Sequence, residues 1–231
     1  IGPVGEATPA MSSKARILDR VKKALPAIFY EFLELLYTGY CFCKTTVEIK
    51  RFRPDLVYDR YIIFNAGNVL AAKFQRVPLC LEVNAPLALE RSTEPDERLV
   101  LKGIATAMER WICANSSRTI VVSSPLRDYL ESIGVPRGHC IVMPNGVNPE
   151  RFTPRAKHPT LGEQLGVSPH HVVIAFSGVI RARHGLDLLV QAVGDLAAQG
   201  VPAFLLVVGD GPYRRQLEEM VQKFGLQRSF A

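Results

Sequence analysis

Apolar runs of strand length alternate with helical stretches along this chain, and that alternation constrains its fold more than any other feature. After Pro54 the runs are "DLVYDR", "VPLCLEV", "RTIVVSS" and "HCIVMP". Between them stand a helical "FNAGNVLAAKFQR", an amphipathic helix expected over 95–115, and the helix "SPLRDYLESIG". Strands separated by helices at this spacing form right-handed βαβ units and a parallel sheet, because a helical crossover returns the chain to pair in the same direction. In the last of these helices Ser124 is expected as the cap, Pro125 in the first turn and Gly134 at the exit. Ahead of the first strand, residues 12–51 read as helical with an interruption near Pro26.

The texture changes after Pro144. "NGVNPERFTPRAKHPT" is dense in proline and polar residues and reads as a linker or domain boundary. A second α/β series follows: strand "HVVIAFSG", a helix from Gly185 to about Gln199, strand "PAFLLVVG", the loop "DGP", and a helix from Tyr213 to Phe224. The expected division is therefore 1–150 and 151–231, an α/β architecture of two Rossmann-like domains. Two strands with two helices make a poor independent domain, so the second series reads as incomplete.

Composition narrows the class. At 48% hydrophobic and 22% charged residues the chain can bury a core. Its net charge of +6 suits nucleic acid, anionic lipid and phosphorylated substrates alike. Cys41, Cys43, Cys80, Cys113 and Cys140 form no C-x-x-C pair, and Cys80 and Cys140 sit in apolar runs as small core residues, which fits a reducing, cytoplasmic setting. No charged-then-apolar leader follows Ile1. "PAIFYEFLELLYTGYCF" carries Glu31 and Glu34 and is too short and too charged to span a bilayer. It reads either as a helix packed on its own domain or as one lying on a membrane, with Lys14, Arg16, Arg20, Lys22 and Lys23 upstream.

Open parallel sheets bind ligands beyond the carboxyl ends of their strands. The candidates are Arg60 and Tyr61, Asn84 to Pro86, Ser123 and Ser124, Asn145 and Gly146, the Arg181–Gly185 loop, and Gly209 to Pro212. Split by the linker, these half-sets suggest a cleft between two facing domains. In "AFSGVIRARHGLDLLVQA", Arg181, Arg183 and His184 gather just before Gly185 at a helix start. That is either an anion site, favoured by outward N–H groups and the helix dipole, or an ordinary solvated loop. Pro149 argues against a hairpin at Asn145-Gly146 and favours a loop with close backbone approach. "GDGPYRR" has Arg214 where a dinucleotide fingerprint needs its third glycine. Ser123 and Ser124 lack a G-x-S-x-G setting, and His170 and His171 lie at a strand entrance.

Six segments, in order, resemble the nucleotide-sugar glycosyltransferases of family 4: "RPDLVYDRY", "VPLCLEVNAPL", "TIVVSSPLRDYLESIGVP", "IVMPNGVNPERFTP", "IAFSGVIRARHGLDLLVQAV" and "FLLVVGDGPYRRQLEEM". The resemblance covers about residues 54–226 and implies the two-domain GT-B fold. It makes residues 12–51 a variable helical insert, 1–150 the rear of the acceptor-side domain, and 151–231 the linker with the front of the donor domain. Family members open with a strand and a glycine-rich loop, and carry a later E-x7-E element; neither has a counterpart here. The chain is thus expected to be an internal piece of a longer protein, inactive alone and poorly soluble.

The resemblance also implies roles. Asn145, Gly146, Gly178, Arg181, His184, Gly185, Gly209 and Gly211 would hold the nucleotide-diphosphate sugar. Val179 stands where many members have Arg and His184 where they have Lys, while Arg181, His184 and Gly185 match a known sub-pattern. Arg181 would act in catalysis by meeting charge on the departing diphosphate without a metal, with Arg183 facing solvent. Asn84 stands where many relatives have a histidine near the scissile bond; it can hydrogen-bond but cannot serve as a base. The implied activity is retaining transfer of a sugar to an acceptor hydroxyl on a glycan, polysaccharide or lipid-linked molecule. It would occur in the cytoplasm, with peripheral membrane contact at the inner face and no nucleic acid partner. A GT-B nucleotide-sugar epimerase and a non-catalytic anion-binding protein are the alternatives.

Overall fold

The computed structural model describes residues 26–93, 99–154, 159–227 and 229–231. They divide into two compact units, one ending at Asn148 and the other taking up the chain from Pro149. The upstream cations Lys14, Arg16, Arg20, Lys22 and Lys23 lie outside the described residues.

In the first unit the strands are β1 (Val57–Arg60), β2 (Leu79–Val83), β3 (Arg118–Val121) and β4 (Cys140–Val142). They pair in chain order and all in parallel, with Val57 opposite Leu79, Leu81 opposite Thr119 and Ile120 opposite Ile141. The connecting helices are α1 (Ala27–Phe52), α2 (Gly67–Gln75), α3 (Leu87–Thr93), α4 (Lys102–Asn115) and α5 (Ser124–Ser132). Leu79, Leu81 and Val83 alternate inward along β2 and meet Val69 and Ala72 of α2, Ile112 of α4 and Leu130 of α5 in one core.

Two local expectations are corrected. The expected helical stretch ahead of Pro26 lies outside the described residues, and Pro26 itself stands at the N-cap of α1, where its missing N–H costs nothing. The cap of α5 is Ser123 rather than Ser124: Ser123 is extended, at φ −156° and ψ 156°, and its hydroxyl accepts from the Leu126 N–H at 3.4 Å. The long helix begins at Lys102 rather than 95, because Leu99–Leu101 is held from outside. The fully buried Glu31 of α1 accepts from the Val100 N–H at 2.6 Å and the Leu101 N–H at 2.7 Å, which fixes these amides just ahead of α4.

α1 is anchored by polar contacts on one side. Thr38 donates to the Phe64 carbonyl at 2.6 Å, and Glu34 accepts from Arg91 at 2.9 Å. Its other side leaves Phe29, Phe32, Leu36 and Tyr40 exposed. Among the described residues no helix is long and apolar enough to cross a membrane.

The second unit contains α6 (Pro159–Gln164), β5 (Val172–Ser177), a 3-10 turn (Ala182–His184), α7 (Leu186–Ala198), β6 (Ala203–Val208) and α8 (Arg214–Lys223). β5 and β6 run parallel, with Val172 opposite Ala203 and Ser177 opposite Val208. A third chain segment joins the sheet: Phe230 pairs in parallel with Leu205, and the Leu205 N–H donates to the Ser229 carbonyl at 2.7 Å. Val190, Val193, Leu205, Leu217 and Val221 form this unit's core.

Candidate functional site

Two backbone loops, one after β5 and one after β6, are locked together at the carboxyl edge of the second unit. The Gly178 N–H donates to the Val208 carbonyl and the Ile180 N–H to the Asp210 carbonyl, both at 3.0 Å; the Tyr213 N–H returns to Ile180 at 3.1 Å. The approach is close because of the glycines. A Cβ on Gly209 would fall on the Gly178 carbonyl oxygen, and one on Gly211 would fall on the Ile180 backbone.

From this rigid base the chain passes Arg181, in extended conformation at φ −126° and ψ 152°, into the 3-10 turn. Gly185 closes the turn and opens α7 in the left-handed region, at φ 65° and ψ 27°, where a side chain would be strained. The N-cap of α7 is Gly185 itself, so no N-cap side chain accepts from its leading N–H groups; Asp187 lies in its first turn. The His184 ring leans on Phe176 with centroids 5.5 Å apart. Arg181 is half-buried whereas Arg183 is exposed. Gly178, Arg181, His184, Gly185, Gly209 and Gly211 thus gather at one sheet edge, with a guanidinium and an imidazole beside a helix start on a backbone held by the bonds between the loops.

The first unit has its own candidate. Beyond the carboxyl ends of β2 and β3 lies a cavity of about 330 Å³ lined by Asn84, Ala85, Pro86, Ser123 and Tyr129, among others. A larger hollow of about 540 Å³ is lined by Lys102, Thr106 and Arg110, and none of its lining residues follows a strand. The smaller cavity therefore has the better claim on ligand chemistry. Here the Asn84 amide donates to Glu82 at 2.6 Å, and the Tyr58 hydroxyl donates to the other Glu82 oxygen at 2.8 Å. The Asn84 amide and then the Tyr58 hydroxyl hold the Glu82 carboxyl below its ordinary range. With its N–H₂ turned to Glu82, Asn84 has its side-chain oxygen buried and without a hydrogen-bond partner among the described residues.

Behind this cavity lies a carboxylate that sequence reasoning missed. Glu109 of α4 is fully buried; it accepts from the Ala88 N–H at 3.3 Å and from the Tyr129 hydroxyl at 2.8 Å. Burial pushes its carboxyl above the usual range, against the pull of these bonds. A signal was present, since Ala105, Glu109, Ile112 and Cys113 share the buried side of α4 and only one of them is charged. A charge at an inward position of an amphipathic helix asks for a partner.

Asn145 and Gly146 follow β4 in an exposed loop. A Cβ on Gly146 would meet nothing within 4 Å among the described residues, so no other part of the protein closes on this glycine. Ser123 is engaged as a cap, and among the described residues no group of three or more His, Cys, Asp or Glu side chains is placed to hold a metal ion.

Comparison with known proteins follows these divisions. The sequence model of Glycosyltransferase Family 4 matches residues 9–151, and that of the glycosyl transferases group 1 matches residues 159–230. The chain is 31% identical over 169 residues to the 2-deoxystreptamine glucosyltransferase of Streptomyces kanamyceticus, covering 71% of this chain and 43% of that protein. It is 28% identical over 229 residues to the D-inositol 3-phosphate glycosyltransferase of Nocardia farcinica, covering 92% and 47%. The chain therefore spans less than half the length of these curated relatives. Among solved structures, Anabaena HepE in complex with UDP and glucose superposes with a TM-score of 0.60 at 17% identity, over 80% of this chain and 50% of that one. Sucrose-phosphate synthase from Thermosynechococcus elongatus gives 0.59 at 20% identity, over 82% and 48%. These likenesses bear out the α/β GT-B fold class.

Proposed function

Because this chain belongs to glycosyltransferase family 4, we propose that the intact protein transfers a sugar from a nucleotide-diphosphate donor to an acceptor hydroxyl with retention at the anomeric carbon. The observation that carries this reading is the locked loop pair of the second unit, which fixes Arg181 and His184 beside the start of α7. In the reaction, the bond from the anomeric carbon to the diphosphate oxygen breaks. A bond to the acceptor oxygen forms on the same face, and the acceptor's proton passes to the departing diphosphate oxygen. Negative charge grows on the departing diphosphate, where a fixed guanidinium and helix N–H groups stabilise it most when they need not reorganise.

In this reading Arg181, His184 and the backbone at Gly178, Gly185, Gly209 and Gly211 serve the diphosphate. Asn84 uses its unpartnered oxygen to accept from a sugar hydroxyl. The names of the relatives support a hexose-type donor and a polyol or glycan acceptor, since they act on 2-deoxystreptamine and inositol 3-phosphate. HepE was solved with UDP and glucose, which supports a nucleotide sugar as donor.

Incubating the intact protein with UDP- and GDP-sugars and a panel of polyol, glycan and lipid-linked acceptors tests the reading. The product linkage should keep the donor's anomeric configuration by NMR. Turnover should survive EDTA, because the loop and helix start carry the charge compensation. Epimerised nucleotide sugar formed with no acceptor consumed would mark an epimerase instead. Activity lost in EDTA and restored by Mn²⁺ or Mg²⁺ would contradict the metal-free reading.

A further inference from the structure

Glu109 does not line the cavity beside Asn84, yet it holds two parts of that cavity's wall. Its one carboxylate oxygen accepts from the N–H of Ala88, directly after the Asn84–Leu87 turn, and its other accepts from the hydroxyl of Tyr129, a lining residue on α5. The Tyr61 hydroxyl faces the same group, and Cys113 lies beside it on α4. A fully buried carboxylate needs such donors, and donors on separate elements are thereby drawn to one point.

We propose that Glu109 is a positioning residue for sugar transfer: by binding Ala88 and Tyr129 at once it sets the Asn84–Pro86 turn at the reacting sugar. The inference rests on the transfer reading above. Its reach is specific. The diphosphate loop belongs to the other unit, so loss of Glu109 acts on the reacting end of the donor and not on nucleotide affinity.

Glu109→Ala and Glu109→Gln together separate positioning from bulk stability. Alanine removes both acceptors, whereas a glutamine oxygen still accepts from the Ala88 N–H while its N–H₂ donates to the Tyr129 oxygen, because a hydroxyl both donates and accepts. In the intact protein kcat should fall about tenfold or more in Glu109→Ala, in line with lost buried hydrogen bonds, and recover largely in Glu109→Gln, while the donor KM stays within about twofold in both. Tyr129→Phe removes one of the two donors and should lower kcat less than Glu109→Ala does.

Hydrogen exchange supplies a readout that does not require turnover. The 84–88 segment should exchange faster in Glu109→Ala with the rest of the first unit unchanged, and return toward the unmutated rate in Glu109→Gln. If Glu109→Ala does not fold, Tyr129→Phe alone must lower kcat at constant donor KM. A lower Tm in Glu109→Ala with unchanged kcat and unchanged exchange at 84–88 would make Glu109 a purely structural carboxylate and overturn the inference. Absence of transfer in the unmutated protein would overturn the transfer reading, with exchange still deciding whether Glu109 holds the turn.

Discussion

Arg181→Ala in the intact protein should slow turnover on the order of a hundredfold, whereas Arg183→Ala should leave it nearly unchanged. A fixed cation meeting charge that grows in the transition state contributes about 3 kcal/mol where water is excluded. Arg181 is half-buried and leaves directly from Ile180, whose N–H and carbonyl are both bound to the neighbouring loop. Arg183 is exposed within the turn, and a solvent-facing side chain costs roughly 0.5 kcal/mol or less when truncated. The two variants should melt alike while their rates separate. Steady-state kinetics beside thermal melts make the comparison, and equal rates would remove Arg181 from the site.

Gly211→Ala should strongly destabilise the second unit. Its Cβ would sit on the Ile180 backbone, 2.6 Å from the nitrogen and 2.8 Å from the carbonyl carbon. Backbone atoms cannot rotate aside as a side chain does, so the loops after β5 and β6 must part and break the bonds between Ile180, Asp210 and Tyr213. Overpacking together with lost buried hydrogen bonds predicts destabilisation of about 3 kcal/mol or more. Gly194→Ala is the matched control. It lies inside α7, and its Cβ would make ordinary 3.7 Å contacts with Leu226 and Phe224. That change should be neutral or stabilise by up to about 1 kcal/mol, since alanine is the better helix former. Urea melts of both variants read the difference directly. Equal midpoints would mean that the two loops are not in contact.

The order of elements was legible because the apolar runs are short, regular and separated by helix signals. Legibility failed where a distant residue decided a local matter. The start of α4 depends on Glu31, about seventy positions earlier in the chain, and no local pattern around 95–102 announces that carboxylate. Between adjacent serines, the extended backbone at Ser123 rather than the residue type selected the cap. The pairing at Phe230 rests on a segment too short to show strand periodicity.

The candidate site shows the same division. The cations of 181–184 stand out by composition, and Gly209 and Gly211 by their place after a strand. What those glycines do was hidden, because the close approach lies between two loops about thirty residues apart. At Gly146, by contrast, no protein atom among the described residues lies within 4 Å of a Cβ position. Glu109 escaped notice because its partners, Ala88 and Tyr129, lie on elements either side of it in the chain.

The central claim is that the 178–185 loop holds a nucleoside diphosphate. Titration calorimetry of the intact protein with UDP and GDP, in the presence of EDTA, addresses it most directly. The account predicts saturable binding of at least one of them, strongly weakened in Arg181→Ala and retained in Arg183→Ala and Asn84→Ala. Binding that persists undiminished in Arg181→Ala, or no binding of either diphosphate to the unmutated protein, would contradict it.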